Sequence, residues 1–129
     1  MQKVNEELIN KVASIASERD NLESMIYPED GKKFHPFLDG EVNPKWNALN
    51  EKLENVMLEL NDEDLIMLET IMLIGRDGDE GTGKKGQELY NSVESYTRTL
   101  YQDKSGAVDY MTAKADFGTY LNDGLKYLK

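Results

Sequence analysis

The sequence has no cysteine and a single histidine, His35, in 129 residues. Without cysteine there are no disulfides, no thiolate chemistry and no cysteine-ligated zinc or iron–sulfur centre. With one histidine, a metal site would have to be built from carboxylates, and no nucleophile motif stands beside His35 to make it a catalytic base. No apolar run reaches the roughly 18 residues of a membrane span. The first residues, MQKVNEELINKV, lack the apolar stretch of a secretory signal, so a cytosolic protein is expected. Basic residues are scarce: 15 against 25 acids, a net charge of −10. That balance argues against a direct grip on nucleic acid, which needs Lys and Arg for the phosphates. It argues equally against an anionic membrane surface.

What the chain does have is a hydrophobic content of 39%, enough for one cored domain spanning 1–129. Its acids are unevenly placed. Residues 1–80 hold 19 acids and 8 bases, whereas residues 81–129 hold 6 acids and 7 bases. Between Glu51 and Glu80 ten acids face only Lys52 and Arg76.

Periodicity reads as helix throughout. Asn5 can cap a first helix whose Leu8, Val12, Ile15, Leu22 and Ile26 recur at helical spacing. Residues 27–43 hold Pro28, Gly31, Pro36 and Gly40 beside Phe34, His35 and Phe37, and read as an ordered aromatic loop. Asn43-Pro44 is a cap followed by proline at the first helical position. The helix it opens carries Trp46, Leu49, Leu53, Val56, Met57 and Leu60 on one face, with Glu51, Glu54 and Glu59 opposite. Asn61 caps a third helix, with Asp62, Glu63 and Asp64 in its positive first turn. From Leu65 to Ile74 that helix is apolar on nearly all sides, which predicts burial all round, and Gly75 is expected to end it. Gln87–Gln102 reads as a fourth helix with Leu89, Val93, Tyr96 and Leu100 on its stripe. Shorter segments around Val108–Ala115 and Phe117–Leu128 complete an all-α compact bundle of five or six helices around the buried 65–74 helix.

Two loop motifs carry partial chemistry. Gly78 to Lys85 has the glycine and lysine spacing of a phosphate-binding loop, but Lys85 stands where a hydroxyl should hold magnesium, and Asp79 and Glu80 would repel a phosphate. Asp77, Asp79 and Glu88 occupy positions 1, 3 and 12 of a calcium loop, but Thr82 replaces its turn glycine and Lys84 its apolar residue. No metal and no cofactor is therefore expected. Glu69 stands out because it interrupts the most apolar helix. Its carboxylate must reach solvent or a cation, with Arg76 and Arg98 as candidates.

The run LNDEDLIMLETIMLIGRDGDE (60–80) resembles a block of a bacterial and phage family classed as a domain of unknown function, family 3775. There an acidic helix start and an apolar helix lead into Gly-Arg-Gly-Asp. The run YMTAKADFGTYLNDGLKYL (110–128) resembles that family's end through Phe117, Gly118, Tyr120, Leu121, Gly124 and Leu125. The matches cover about residues 55–128. Asp77-Gly78 stands where the family has Gly-Asp. The resemblance implies an all-α fold and brings no activity.

The reading of function that follows is a non-enzymatic acidic protein that binds a basic protein surface through Glu51, Glu54, Glu59, Asp62, Glu63 and Asp64. Its sharpest form is a phage-type inhibitor, of DNA-mimic or anti-CRISPR style, seated on a nucleic-acid enzyme. Two alternatives stay open. One is a small ligand- or metal-binding domain or enzyme built from the Gly-rich loop 75–86 with Glu69, Arg76, Asp77, Asp79 and Glu80. The other is a plain structural or homodimeric protein.

Overall fold

The computed structural model describes residues 5–26, 42–78 and 83–128. Six helices follow one another: α1 (Glu6–Ile26), α2 (Val42–Leu58), α3 (Asp62–Asp77), α4 (Gly86–Leu100), α5 (Lys104–Thr112) and α6 (Phe117–Leu128). No strand occurs among the described residues, and none of the described helices is long and apolar enough to cross a membrane. The aromatic loop lies almost wholly outside the described residues.

Side-chain caps mark where three of the six helices start. The Asn5 side chain accepts the Leu8 N–H at 3.1 Å, and the Asn61 side chain accepts that of Asp64 at 2.8 Å. Asp103 does the same for Gly106 at 2.7 Å, which opens α5 where a plain turn was expected. Helix α2 departs from expectation by starting at Val42, ahead of Asn43-Pro44. Proline is tolerated there because the first-turn N–H groups have no intrahelical acceptor to lose.

Helix α3 is the centre of the bundle. All ten residues from Leu65 to Ile74 are buried, and the helix packs against α4, α5 and α6. Each of its large aliphatic side chains contributes about 1.5–3 kcal/mol by leaving water. Helix α1 packs on α6 and α2, placing Ile9, Val12, Ile15 and Ala16 in the same core as Leu53 and Met57 of α2.

Gly75 does not end α3. It lies inside the helix, where α6 crosses so closely that a Cβ would stand 2.9 Å from the Gly124 nitrogen and closer still to the Tyr120 carbonyl. A Cβ on Gly124 would in turn meet Ile71. The two glycines let the helix backbones touch. The cap is Gly78, at φ 63°, whose N–H donates to the Ile74 carbonyl at 2.7 Å. Gly118 makes the same kind of close contact between α6 and α1, against Ala13 and Ser17. The glycines of the C-terminal run thus have a packing reason.

Helix α4 is rotated from its expected face. Leu89 and Tyr90 are buried together with Glu94 and Thr97, whereas Tyr96 and Leu100 face outward, 58% and 45% exposed. The buried polar groups are satisfied locally: the Thr97 hydroxyl donates to the Val93 carbonyl at 2.9 Å, and Glu94 lies 3.5 Å from Arg98. Helices α5 and α6 are separate, divided by a turn over residues 113–116.

Candidate functional site

Two places on the molecule gather the residues singled out above. The first is the acidic face. Glu51 and Glu59 are exposed and flank one shallow depression on α2 together with Lys52 and Asn55. Glu54 and Asp64 are half-buried. These four acids make no hydrogen bond or ion pair through their side chains among the described residues. Asp62 and Glu63 are engaged. Asp62 accepts a 2.5 Å hydrogen bond from the Tyr101 hydroxyl. Glu63 takes both arms of the Arg98 guanidinium, at 2.6 and 3.0 Å. That paired geometry holds the Arg98 proton well above the usual arginine range.

The second place is a pocket of about 490 Å³ between α3, α4 and α5. Its walls include Tyr96 and Leu100 from the end of α4, Tyr101 and Asp103 from the connection, and Tyr110 from α5. Glu69 of α3 lines it too, and is only 3% exposed. Burial pushes the Glu69 carboxyl above the ordinary carboxylate range. Its charge reaches Tyr101, whose phenol is raised first by burial, then by its bond to Asp62, with Asp103 and Glu69 adding to the effect.

Glu69 finds neither of its expected cations. Arg76 is bound through two 2.9 Å contacts to its neighbour Asp77, and its remaining arm lies 3.4 Å from the Tyr110 hydroxyl. Arg98 is taken by Glu63 and Glu94. Among the described residues Glu69 has no hydrogen bond and no ion pair. Glu69 and Tyr110 line the same pocket, and Arg76, two turns on from Glu69 along α3, reaches the Tyr110 hydroxyl. Of the loop positions, Asp77 is held by Arg76, while Asp79 and Glu80 lie outside the described residues, as does His35.

None of the protein-family models, curated proteins or solved structures compared with this chain matches it. Its chemistry therefore has to be read from its own geometry. Among the described residues no group of three or more His, Asp or Glu side chains could hold a metal ion. What the two places offer is negative charge: spread over a surface in one, and set at the wall of an aromatic pocket in the other.

Sequence reasoning also missed the buried charge of Arg19, which is 1% exposed. Its guanidinium donates to Asn50 Oδ1 and the Thr112 carbonyl at 2.7 Å, to the Lys114 carbonyl at 2.9 Å and to Asp20 at 3.1 Å. It also lies 5.7 Å from the centre of the Trp46 ring. Arg19 thereby ties α1 to α2 and to the end of α5. The signal was present in the α1 stripe, which steps from Val12 and Ile15 to Leu22 and Ile26 and leaves position 19 to an arginine.

Proposed function

We propose that this is a non-enzymatic interaction protein that engages a basic protein surface through the acids of α2 and the first turn of α3. Its sharpest form is a phage-type inhibitor that covers the nucleic-acid-binding surface of a host enzyme. The observation that carries the reading is that Glu51, Glu54, Glu59 and Asp64 have no cation partner among the described residues. Their charge is left to act outward, where it speeds encounter with a basic surface. The resemblance of residues 55–128 to domain-of-unknown-function family 3775 belongs to this proposal as a reading of ancestry and brings no activity to it.

The test is a four-site charge reversal, Glu51→Lys, Glu54→Lys, Glu59→Lys and Asp64→Lys, compared with the native chain in pull-downs from host lysate. The native chain should capture a basic nucleic-acid enzyme at low salt, lose it to high salt or competing duplex DNA, and inhibit it when purified. The variant should do none of these. Equal capture by both proteins, with the same salt response, would refute the reading.

A further inference from the structure

The pocket between α3, α4 and α5 has features that the acidic-face reading does not use. Buried polar side chains among the described residues are Arg19, Glu69, Thr70, Glu94 and Thr97. Arg19 and the two threonines donate to protein acceptors, and Glu94 meets Arg98. Glu69 alone of the five has no partner of this kind. A buried carboxylate without hydrogen bond or counter-charge is costly, and a cation brought to it removes that cost. The pocket it lines also gathers three of the most exposed large apolar side chains: Tyr96, Leu100 and Tyr110.

This combination selects a ligand class. An anion would meet Glu69 and Asp103. A neutral apolar group would leave Glu69 uncompensated. A divalent metal needs several converging oxygens, and no such group exists among the described residues. A cation carried on carbon meets every requirement: its charge faces Glu69 while its methylenes lie on Leu100 and the tyrosine rings. The Tyr110 ring already accepts such a group inside the protein, the Lys114 ammonium, 4.3 Å from its centre. The guanidinium of Arg76, which reaches the Tyr110 hydroxyl, is paired with Asp77.

We infer that this pocket binds an alkylammonium group on a short carbon chain, with Glu69 as its counter-ion and Tyr96 and Tyr101 as its aromatic walls. The group is chemically the end of a lysine side chain or a free alkylamine. The site is separate from Glu51, Glu54 and Glu59, and it stands whether or not those acids bind a partner.

The experiment is an NMR titration of the isotope-labelled full chain at constant ionic strength. The probes are n-butylammonium, n-butanol of the same length, and lysine blocked at both ends as acetyl-lysine methylamide. Saturable shifts centred on the amides of residues 96–110 are expected with n-butylammonium, at least tenfold tighter than with n-butanol. Glu69→Gln should weaken n-butylammonium at least tenfold. Tyr96→Ala, at an exposed ring whose loss leaves the core intact, should weaken it roughly threefold to tenfold. Blocked lysine binding as well as n-butylammonium assigns the site to a protein side chain. Binding of n-butylammonium alone assigns it to a free amine. The inference is overturned if n-butanol binds equally well, if the shifts spread over α2 instead, or if Glu69→Gln binds unchanged. Should Glu69→Gln fail to fold, an unchanged affinity in Tyr96→Ala overturns it.

Discussion

Replacing Arg19 by methionine should cost this protein a large part of its stability. Methionine keeps most of the volume and the apolar stem, so the loss isolates the guanidinium. That group donates at 2.7 Å to Asn50 and to the Thr112 carbonyl, at 2.9 Å to the Lys114 carbonyl, and pairs with Asp20. Thr112 is the last residue of α5, so its carbonyl has no intrahelical donor to return to. Lys114 and Asp20 fare better, because the Phe117 and Gly118 N–H groups still reach them. Removing one member of a buried charged network typically costs about 3–5 kcal/mol. A chain of this length has a total stability of roughly 6–19 kcal/mol. With a urea dependence near 2 kcal/mol per molar, the unfolding midpoint followed by circular dichroism should fall by about 1.5–2.5 M. Arg76→Met is the internal control. Its ion pair with Asp77 is about one-third exposed on each side, so its loss should cost less than about 1 kcal/mol. If the two variants shift the midpoint equally, the tie between α1, α2 and α5 is not what Arg19 supplies.

Glu69→Gln should stabilise the protein at neutral pH. The carboxyl of Glu69 is raised in the folded state from an ordinary value of 4.5, so the folded chain holds that proton more tightly than the unfolded chain. Stability linked to it is complete below pH 4.5 and is lost as pH rises through the folded value. The gain from glutamine should therefore be present at pH 7 and vanish near pH 4, measured by thermal unfolding across that range; a gain that does not change with pH would refute it. Gly124→Ala should lower the melting temperature by several degrees, a cost of about 1–3 kcal/mol. The added methyl would stand 2.8 Å from Ile71 Cγ2 and 3.0 Å from the Ile71 carbonyl carbon, where backbone cannot yield. An unchanged melting temperature would mean that α3 and α6 are not held in contact there.

The helices were legible because their apolar spacing and caps are local properties. Leu53 and Met57 are buried as the α2 stripe requires, and Leu65–Ile74 is buried on every side. What failed depends on contacts distant in sequence. Gly75 and Gly78 both sit where a helix could end, and only the approach of Gly124 shows that the first is a crossing point. The face of α4 was misread because Glu94 and Thr97, polar by type, are buried once Arg98 and the Val93 carbonyl satisfy them. The role of Arg19 could not be read locally, since its acceptors on Asn50, Thr112 and Lys114 come from other elements. In the candidate site, the anomaly of Glu69 was plain from its apolar neighbours. Its lack of a cation was not, because Asp77 and Glu63 claim the two arginines first. The density of acids from Glu51 to Glu80 could be counted, but which of them keep an uncompensated charge could not.

The two places are physically joined. Tyr101 lines the pocket and donates to Asp62, which opens α3 within the acidic run. A basic segment drawn toward the first turn of α3 by surface charge would arrive beside the pocket mouth. Surface charges act over about a Debye length and give encounter rate more than affinity. A buried counter-ion in an aromatic pocket acts only at contact, and gives affinity and register. On the two proposals together, the features would divide the work of recognition. Salt should weaken the contribution of Glu51, Glu54 and Glu59 far more than that of Glu69. A partner held by both would lose association rate when the surface acids are reversed and gain dissociation rate when Glu69 is neutralised. The opposite assignment would place the binding energy on the surface and leave Glu69 as an unexplained cost to the fold.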